Sequence, residues 1–310
     1  MQEKIGKVTL DYTYYAGEDL YSDGPIEDEL LETAEHCQEK DYPRIIAEKA
    51  SWPFLYHFSP IRQNIVSWIP FQGTDRVLEI GAGCGAITGA LARKSGQVTC
   101  VELSKKRSQI NAWRNREYDN LTIQVGNFLD VEPHLADTFD YITLIGVFEY
   151  AESYMGKDHP AETMLRCMAR HLAPGGKIVI AIENRLGLKY WGGCAEDHVG
   201  KYFEGLEGYH NTTGVRTYSR KELLEVIGRS GDFKTTFYYP YPDYKFPYSI
   251  YSDRYLPRKG ELKDNVCNFD MPKLKLFDEA RVFDTLIDNG LFPEFSNSLL
   301  VMLEKEEAKA

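Results

Sequence analysis

The chain has 310 residues, 43% of them hydrophobic and 27% charged, which excludes a disordered or fibrous protein and suffices for one extended domain or two small ones. Its 47 acidic residues against 36 basic ones give a net charge of −11, so a surface that binds nucleic acid non-specifically is not expected. Six cysteines without a CxxC pair argue against a zinc ribbon or a disulfide scaffold; with no signal-peptide core and no eighteen-residue apolar run, the expectation is a bacterial-style cytoplasmic protein without a membrane span.

In chain order, residues 1–74 form an N-terminal extension expected to be a helical cap. One helix is predicted over 25–38, where Pro25 suits a first helical position and Leu30, Leu31 and Ala34 give one apolar face; a second follows Ser59-Pro60 and ends near Trp68. From residue 75 short apolar runs alternate with helix-length segments. The runs around Val77, Val98, Ile123, Ile142 and Ile178 are rich in β-branched residues, the signature of a parallel sheet with crossover helices on both faces. Helices are predicted over 86–93, from the cap Ser104 to about Glu117, and over 160–171. Ser219-Arg-Lys-Glu222 is a capping-box pattern that opens another helix, followed by a strand over 234–239, a helix over 277–288 and a last strand over 298–304. The fold class is α/β, read as one elaborated domain: a core over 75–240 plus 291–305, with acceptor-side insertions over 184–217 and 240–290.

The most informative stretch is Glu79-Ile-Gly81-Ala82-Gly83-Cys84-Gly85, between the first core strand and its helix. Glycines at such a turn let the backbone take positive φ and let a ligand approach the main chain, as in a nucleotide cradle. Gly81, Gly83 and Ala86 also satisfy a dinucleotide fingerprint loosely, so a nucleotide-dependent oxidoreductase is an alternative. Glu102 ends the next strand about twenty residues on, where a carboxylate accepts ribose hydroxyls. Cys84 has no neighbouring His to activate it and reads as structural.

The spacing Glu-x-Gly-x-Gly-x-Gly resembles the first motif of class I S-adenosylmethionine-dependent methyltransferases. Gly126-Asn127-Phe128, Gly146-Val147-Phe-Glu149-Tyr150 and Leu172-Ala-Pro-Gly-Gly176 resemble the family's successive motifs. The resemblance implies a Rossmann-like, seven-stranded, mostly parallel sheet with an antiparallel last strand, and S-adenosyl-L-methionine as cofactor, with S-adenosyl-L-homocysteine as product. It implies that Gly81, Ala82, Gly83 and Gly85 cradle the cofactor, that Glu102 with Leu103 holds the ribose, that Asn127 and Phe128 flank the adenine, and that Gly146 and Val147 line the methyl side. Most members carry Asp at the position of Asn127; an Asn carbonyl still accepts from an amino group but without charge. Glu79 is either a contact of the cofactor amine or a structural acid satisfied by loop amides, and Phe128 has an alternative role in the core.

The acceptor is met, on this reading, by the segment after the fifth core strand. It carries five glycines between Gly187 and Gly205 and the run Glu196-Asp197-His198. His198 is the candidate general base because its ordinary pKa lies near neutrality, against a solvated charge cluster as the plainer role; Glu149 and Tyr150 are further catalytic candidates, against helix-start packing. Three adjacent residues converge poorly on one ion, so no metal is assigned. The sequence holds 21 tyrosines, seven of them between Tyr238 and Tyr255, in an insertion that is either an acceptor lid or a packed one. Arg185, Lys189, Tyr190, Asp197, Tyr241, Tyr244 and Arg254 are the candidate acceptor contacts, with Arg216 as a further cation. Together these segments are similar to methyltransferase modules of bacterial surface-polysaccharide pathways, which implies O-methylation of a small molecule or a sugar or glycan precursor. Peptide N-methylation and a catalytically silent scaffold subunit remain alternatives, and a homodimer is compatible with the reading.

Overall fold

The computed structural model describes residues 1–19, 21–156, 158–265, 271 and 273–305. Its contacts divide the chain into two compact units, Met1–Leu144 with His171–Gly176, and Ile145–Arg170 with the chain from Lys177 onward. The sequence suggests one elaborated domain because periodicity reports local alternation, whereas the division reflects where contacts concentrate.

In the first unit, β1 (Gln2–Ile5), β2 (Val8–Tyr14), β3 (Arg76–Ile80), β4 (Gln97–Glu102), β5 (Leu121–Gly126) and β6 (Phe139–Ile145) pair in the order β1-β2-β5-β4-β3-β6. All these pairings are parallel except the β1–β2 hairpin. The β3 residues Val77, Leu78, Glu79 and Ile80 are all buried, as expected of a strand covered on both faces. The two N-terminal strands are a difference from the expected helical cap, and with the strand Ser249–Ser252 they bring the described strands to ten where seven were expected. Val8, Leu10 and Tyr12 alternate with polar residues, a period-two pattern that tertiary pairing with β5 completes.

The expected first helix spans Ile26–His36, and two more, Tyr42–Lys49 and Trp52–Phe58, follow it. Their apolar faces join Leu30, Tyr42, Phe54 and Phe58 to Ile110 on helix Lys105–Arg114 in one core cluster. Each such side chain contributes roughly 1.5–3 kcal/mol on burial. Ser104 caps Lys105–Arg114, its Oγ accepting from the Arg107 N–H at 3.2 Å, and Asp19 adds a second cap by accepting from the Lys105 N–H at 2.6 Å.

In the second unit, β7 (Leu172–Glu183), β8 (Phe233–Tyr241), β9 (Ser249–Ser252) and β10 (Ser298–Lys305) pair antiparallel in the order β7-β10-β8-β9. The last strand therefore lies antiparallel to the fifth core strand, with Val301 opposite Ile180. Ser219 heads helix Arg220–Ser230 through a full capping box with Glu222. The tyrosine-rich insertion is largely a β8–β9 hairpin. Tyr239, Tyr241 and Tyr244 are buried, Tyr239 and Tyr251 pack edge-on against Phe292, and Tyr241 against Phe283, so these rings build a core, whereas Tyr248 and Tyr255 are exposed.

Candidate functional site

In the first unit the glycine loop follows directly from β3. Gly83 has φ +53°, and a Cβ built on it would meet no atom of the described residues within 4 Å, which leaves an open approach to its main chain. Gly85 is the opposite case. Its Cβ would stand 2.3 Å from Asn111 Oδ1, so this glycine serves the packing of the loop onto Lys105–Arg114. The Gly83 N–H donates to Glu102 Oε2 at 2.7 Å, and the Ser104 N–H donates to Glu102 Oε1 at 2.9 Å. Burial nevertheless leaves the Glu102 carboxyl above its ordinary pKa.

Glu79 is satisfied by side chains and not by loop amides. Its Oε2 accepts from the Thr88 hydroxyl at 2.6 Å and from the Cys100 thiol at 3.2 Å, and burial pushes its pKa up to about 7. Asn127 caps the short helix Phe128–Val131, its Oδ1 accepting from the Leu129 N–H at 3.0 Å, and Phe128 is buried beside it. Cys84 is buried and burial drives its thiol pKa upward, which fits the structural role.

In the second unit, residues from distant parts of the chain meet. Glu149 and Tyr150 lie in the 3-10 turn Phe148–Tyr150 after β6, Glu183 ends β7, and His198 lies in the glycine-rich loop. His198 Nε2 stands 3.2 Å from Glu183 Oε2 and 4.0 Å from Glu149 Oε1, while its Nδ1 faces the Tyr150 hydroxyl at 3.2 Å. Glu196 positions the loop by accepting the backbone N–H groups of His198 and Val199, both at 2.8 Å.

Burial alone would lower the His198 pKa, but the Glu183 and Glu149 carboxylates outweigh it and raise it to about 9. Burial would likewise raise Glu183, yet the Lys245 ammonium 2.7 Å away, with His198, holds it well below the carboxylate range. Glu149 is 2% exposed, neither carboxylate oxygen has a hydrogen-bond partner among the described residues, and burial pushes its pKa up to about 8.

A ladder of alternating charge continues away from this cluster. Lys245 also pairs with Asp197 at 2.5 Å, Asp197 with Lys189 at 2.9 Å, and Lys189 with Asp243 at 2.7 Å; the Tyr190 hydroxyl donates to Asp197 at 2.6 Å. Lys189, expected to meet an acceptor anion, is instead fully buried with its ammonium committed to two aspartates. Arg185 and Arg216 pair with Glu222 at 3.1 and 3.4 Å, and Arg254 is exposed. Tyr241 and Tyr244 are buried packing residues, with the Tyr244 hydroxyl 2.7 Å from where a Cβ on Gly146 would stand. Sequence reading gave no role to Glu183 or Lys245; a carboxylate closing the fifth strand was the available signal for the first, and Lys245 was masked by its aromatic surroundings.

Residues 78–178 match the protein family described as Methyltransferase domain. The chain is 30% identical to a ubiquinone biosynthesis O-methyltransferase of Paracidovorax citrulli, over 56% of this chain and 74% of that protein. The chain belongs to the class I S-adenosylmethionine-dependent methyltransferases. A ubiquinone biosynthesis O-methyltransferase of Idiomarina loihiensis is 29% identical over 47% of this methyltransferase, which spans 58% of that relative's length. The crystal structure of a SAM-dependent methyltransferase from Archaeoglobus fulgidus shares the fold with a TM-score of 0.50 at 15% identity, over 82% of this chain and all of the other.

The residues of this methyltransferase fit S-adenosylmethionine. The open face at Gly83 is a cradle that a Cβ would begin to fill, and Glu102, which accepts from the backbone N–H groups of Gly83, Ser104 and Leu103, keeps acceptor capacity that a ribose hydroxyl could use, a carboxylate offering about four acceptor sites. Asn127 uses one lone pair of Oδ1 as a cap and keeps another for an adenine amino group. Among the described residues no helix is long and apolar enough to cross a membrane.

Proposed function

We propose that this methyltransferase acts on a hydroxyl oxygen of a small-molecule or sugar-type acceptor, and that the cluster of Glu149, Tyr150, Glu183 and His198 receives that hydroxyl. The observation that carries the reading is the Glu149 carboxylate, buried and without a hydrogen-bond partner beside the His198 ring. A buried carboxylate held ready in this way suits an O–H donor supplied by the acceptor. Curated relatives named as O-methyltransferases support the same class of acceptor.

Bound S-adenosylmethionine supplies a sulfonium methyl that is already an activated electrophile, so the chain's task is to align the acceptor and accept its proton. Within the cluster the roles divide by charge state. Glu183 is ionised and held by Lys245, and His198 is cationic near neutrality. Burial raises the Glu149 pKa while the neighbouring imidazolium favours its anion, and its carboxylate oxygens, without a hydrogen-bond partner among the described residues, are the ones open to the acceptor proton. Tyr150 fixes the ring by its contact to Nδ1.

The test is transfer from methyl-labelled S-adenosylmethionine to fractionated hydroxyl-bearing metabolites and sugar derivatives. Label on oxygen is expected, with Glu149→Gln lowering kcat by about 10²-fold or more while S-adenosylhomocysteine still binds. Label on nitrogen alone, or unchanged turnover by Glu149→Gln, overturns the reading.

A further inference from the structure

The Glu149, Glu183 and His198 side chains have a geometry that the charge-state argument does not use. One oxygen from each carboxylate and one imidazole nitrogen all lie within 4.8 Å of one another. We propose that these three side chains form a binding site for one divalent transition-metal ion.

Ligand spacing supports this. A cation about 2.1 Å from each of two donors leaves them roughly 3.0–3.5 Å apart when adjacent and about 4.2 Å apart when opposite. The observed 3.2 Å from Nε2 to Glu183 Oε2 fits adjacent donors, and the 4.0 Å from Nε2 to Glu149 Oε1 lies between the adjacent and opposite spacings. Independently, Glu149 is 2% exposed and, among the described residues, both its oxygens lack a hydrogen-bond partner, which leaves two donor atoms facing His198. Its ion-pair neighbour at 4.0 Å is a histidine nitrogen, which is itself a metal donor.

The surroundings have the form of a support for metal ligands. His198 turns Nδ1 to the Tyr150 hydroxyl, which leaves Nε2 toward the carboxylates, where an ion would displace the ring proton to solvent, and its main chain is held by Glu196. Glu183 gives Oε1 to Lys245 and keeps Oε2 toward His198. Lys245 lowers the site's net negative charge, which disfavours a simple electrostatic trap for any cation and leaves selection to the donor atoms. Two carboxylates and one imidazole suit manganese or zinc better than calcium or magnesium, which prefer oxygen alone. The three donors come from the turn after β6, the end of β7 and the glycine-rich loop, which is why adjacency along the chain gave no sign of them.

Three protein ligands leave coordination positions open for acceptor oxygen or water. The ion's purpose, though not the existence of its site, rests on the proposed O-methylation. With the ion bound, the acceptor hydroxyl would coordinate it and become more acidic, and its proton would pass to the Glu149 oxygen that does not hold the ion.

The experiment is titration of the chelator-treated full chain with Mn²⁺, and separately with Zn²⁺, followed by calorimetry and, for Mn²⁺, by the loss of free-ion paramagnetic resonance signal. One site per chain is expected for at least one of the two ions, weakened about tenfold or more in Glu149→Gln and in His198→Ala and unchanged in Glu225→Gln on an exposed helix face. A retained melting-temperature rise with S-adenosylhomocysteine establishes that each variant is folded. Absence of a stoichiometric site for either ion, or equal binding by the variants and the parent chain, overturns the proposal. Binding at this site without label on any hydroxyl would reject O-methylation and keep the metal site; O-methylation at an unchanged rate in chelator, without ion binding, would do the reverse.

Discussion

Lys245 Nζ, from the loop between β8 and β9, stands 2.7 Å from Oε1 of Glu183, the last residue of β7, and 2.5 Å from Asp197 Oδ1. One ammonium therefore fixes two carboxylates at the edge of the polar cluster. Replacing it by Met keeps the stem and removes the charge, so both acids lose a buried partner. Lys245→Met is expected to destabilise the protein by about 3 kcal/mol, read as a lower chemical-denaturation midpoint at pH 7. A change under about 0.5 kcal/mol, the range of an ordinary surface substitution, would show that the ladder is not structurally coupled.

Glu79 supplies a pH signature. Its folded pKa of about 7 lies above the ordinary carboxyl value of 4.5 because burial penalises the anion. Between those values the native state holds more protons than the unfolded one, so this group's contribution to stability is full below about 4.5 and is lost as pH rises through 7. Glu79→Gln, which keeps an acceptor for Thr88, should gain on the parent chain as pH rises from 5 to 8, by an amount on the order of 3 kcal/mol. Denaturation midpoints of both proteins across that interval check it; parallel curves would refute the shift.

The two loop glycines should respond differently to one methyl group. Gly85→Ala forces a Cβ against Asn111, which is itself bonded to Thr88 and Asn115, and is expected to lower the melting temperature without any ligand. Gly83→Ala meets no neighbour and carries only the left-handed backbone cost of about 1–2 kcal/mol. Its larger effect should fall on the S-adenosylhomocysteine-induced melting shift, which is expected to shrink or vanish. Equal effects on the ligand-free protein would remove the distinction.

Asn127→Asp keeps the helix cap and adds a charge facing the proposed adenine contact. S-adenosylhomocysteine affinity is expected to rise by about fivefold, near 1 kcal/mol, with little change in ligand-free stability. Calorimetric titration of the two proteins decides it, and an unchanged affinity would place the adenine elsewhere.

Much of the α/β core was legible because its signals are local. The strand at Val77–Ile80, the Ser104 and Ser219 caps and the glycine turn all declare themselves within a few residues, and the structure places them as expected. What stayed hidden depends on pairing at a distance. The period-two pattern in Val8–Tyr14 gains meaning only beside β5, and the short helices Tyr42–Lys49 and Trp52–Phe58 show their apolar faces only against Ile110. His198 and Glu149 were singled out one at a time, whereas their chemistry depends on Glu183, which joins them through the fold, and on the charge of Lys245. The tyrosine surplus left two roles open, because composition registers an aromatic excess but not whether a ring faces solvent or Phe292.

The N-terminal hairpin also governs how the molecule behaves in solution. Because β2 pairs with β5, the outermost strand of that sheet is β1, whose Gln2, Glu3 and Lys4 are exposed. Charged, short outer strands discourage edge-to-edge association, whereas β5 carries the apolar Leu121, Ile123 and Val125. A form of the protein begun after Tyr14 would uncover the backbone donors and acceptors of β5 and invite self-association, so these fourteen residues act as a guard against aggregation.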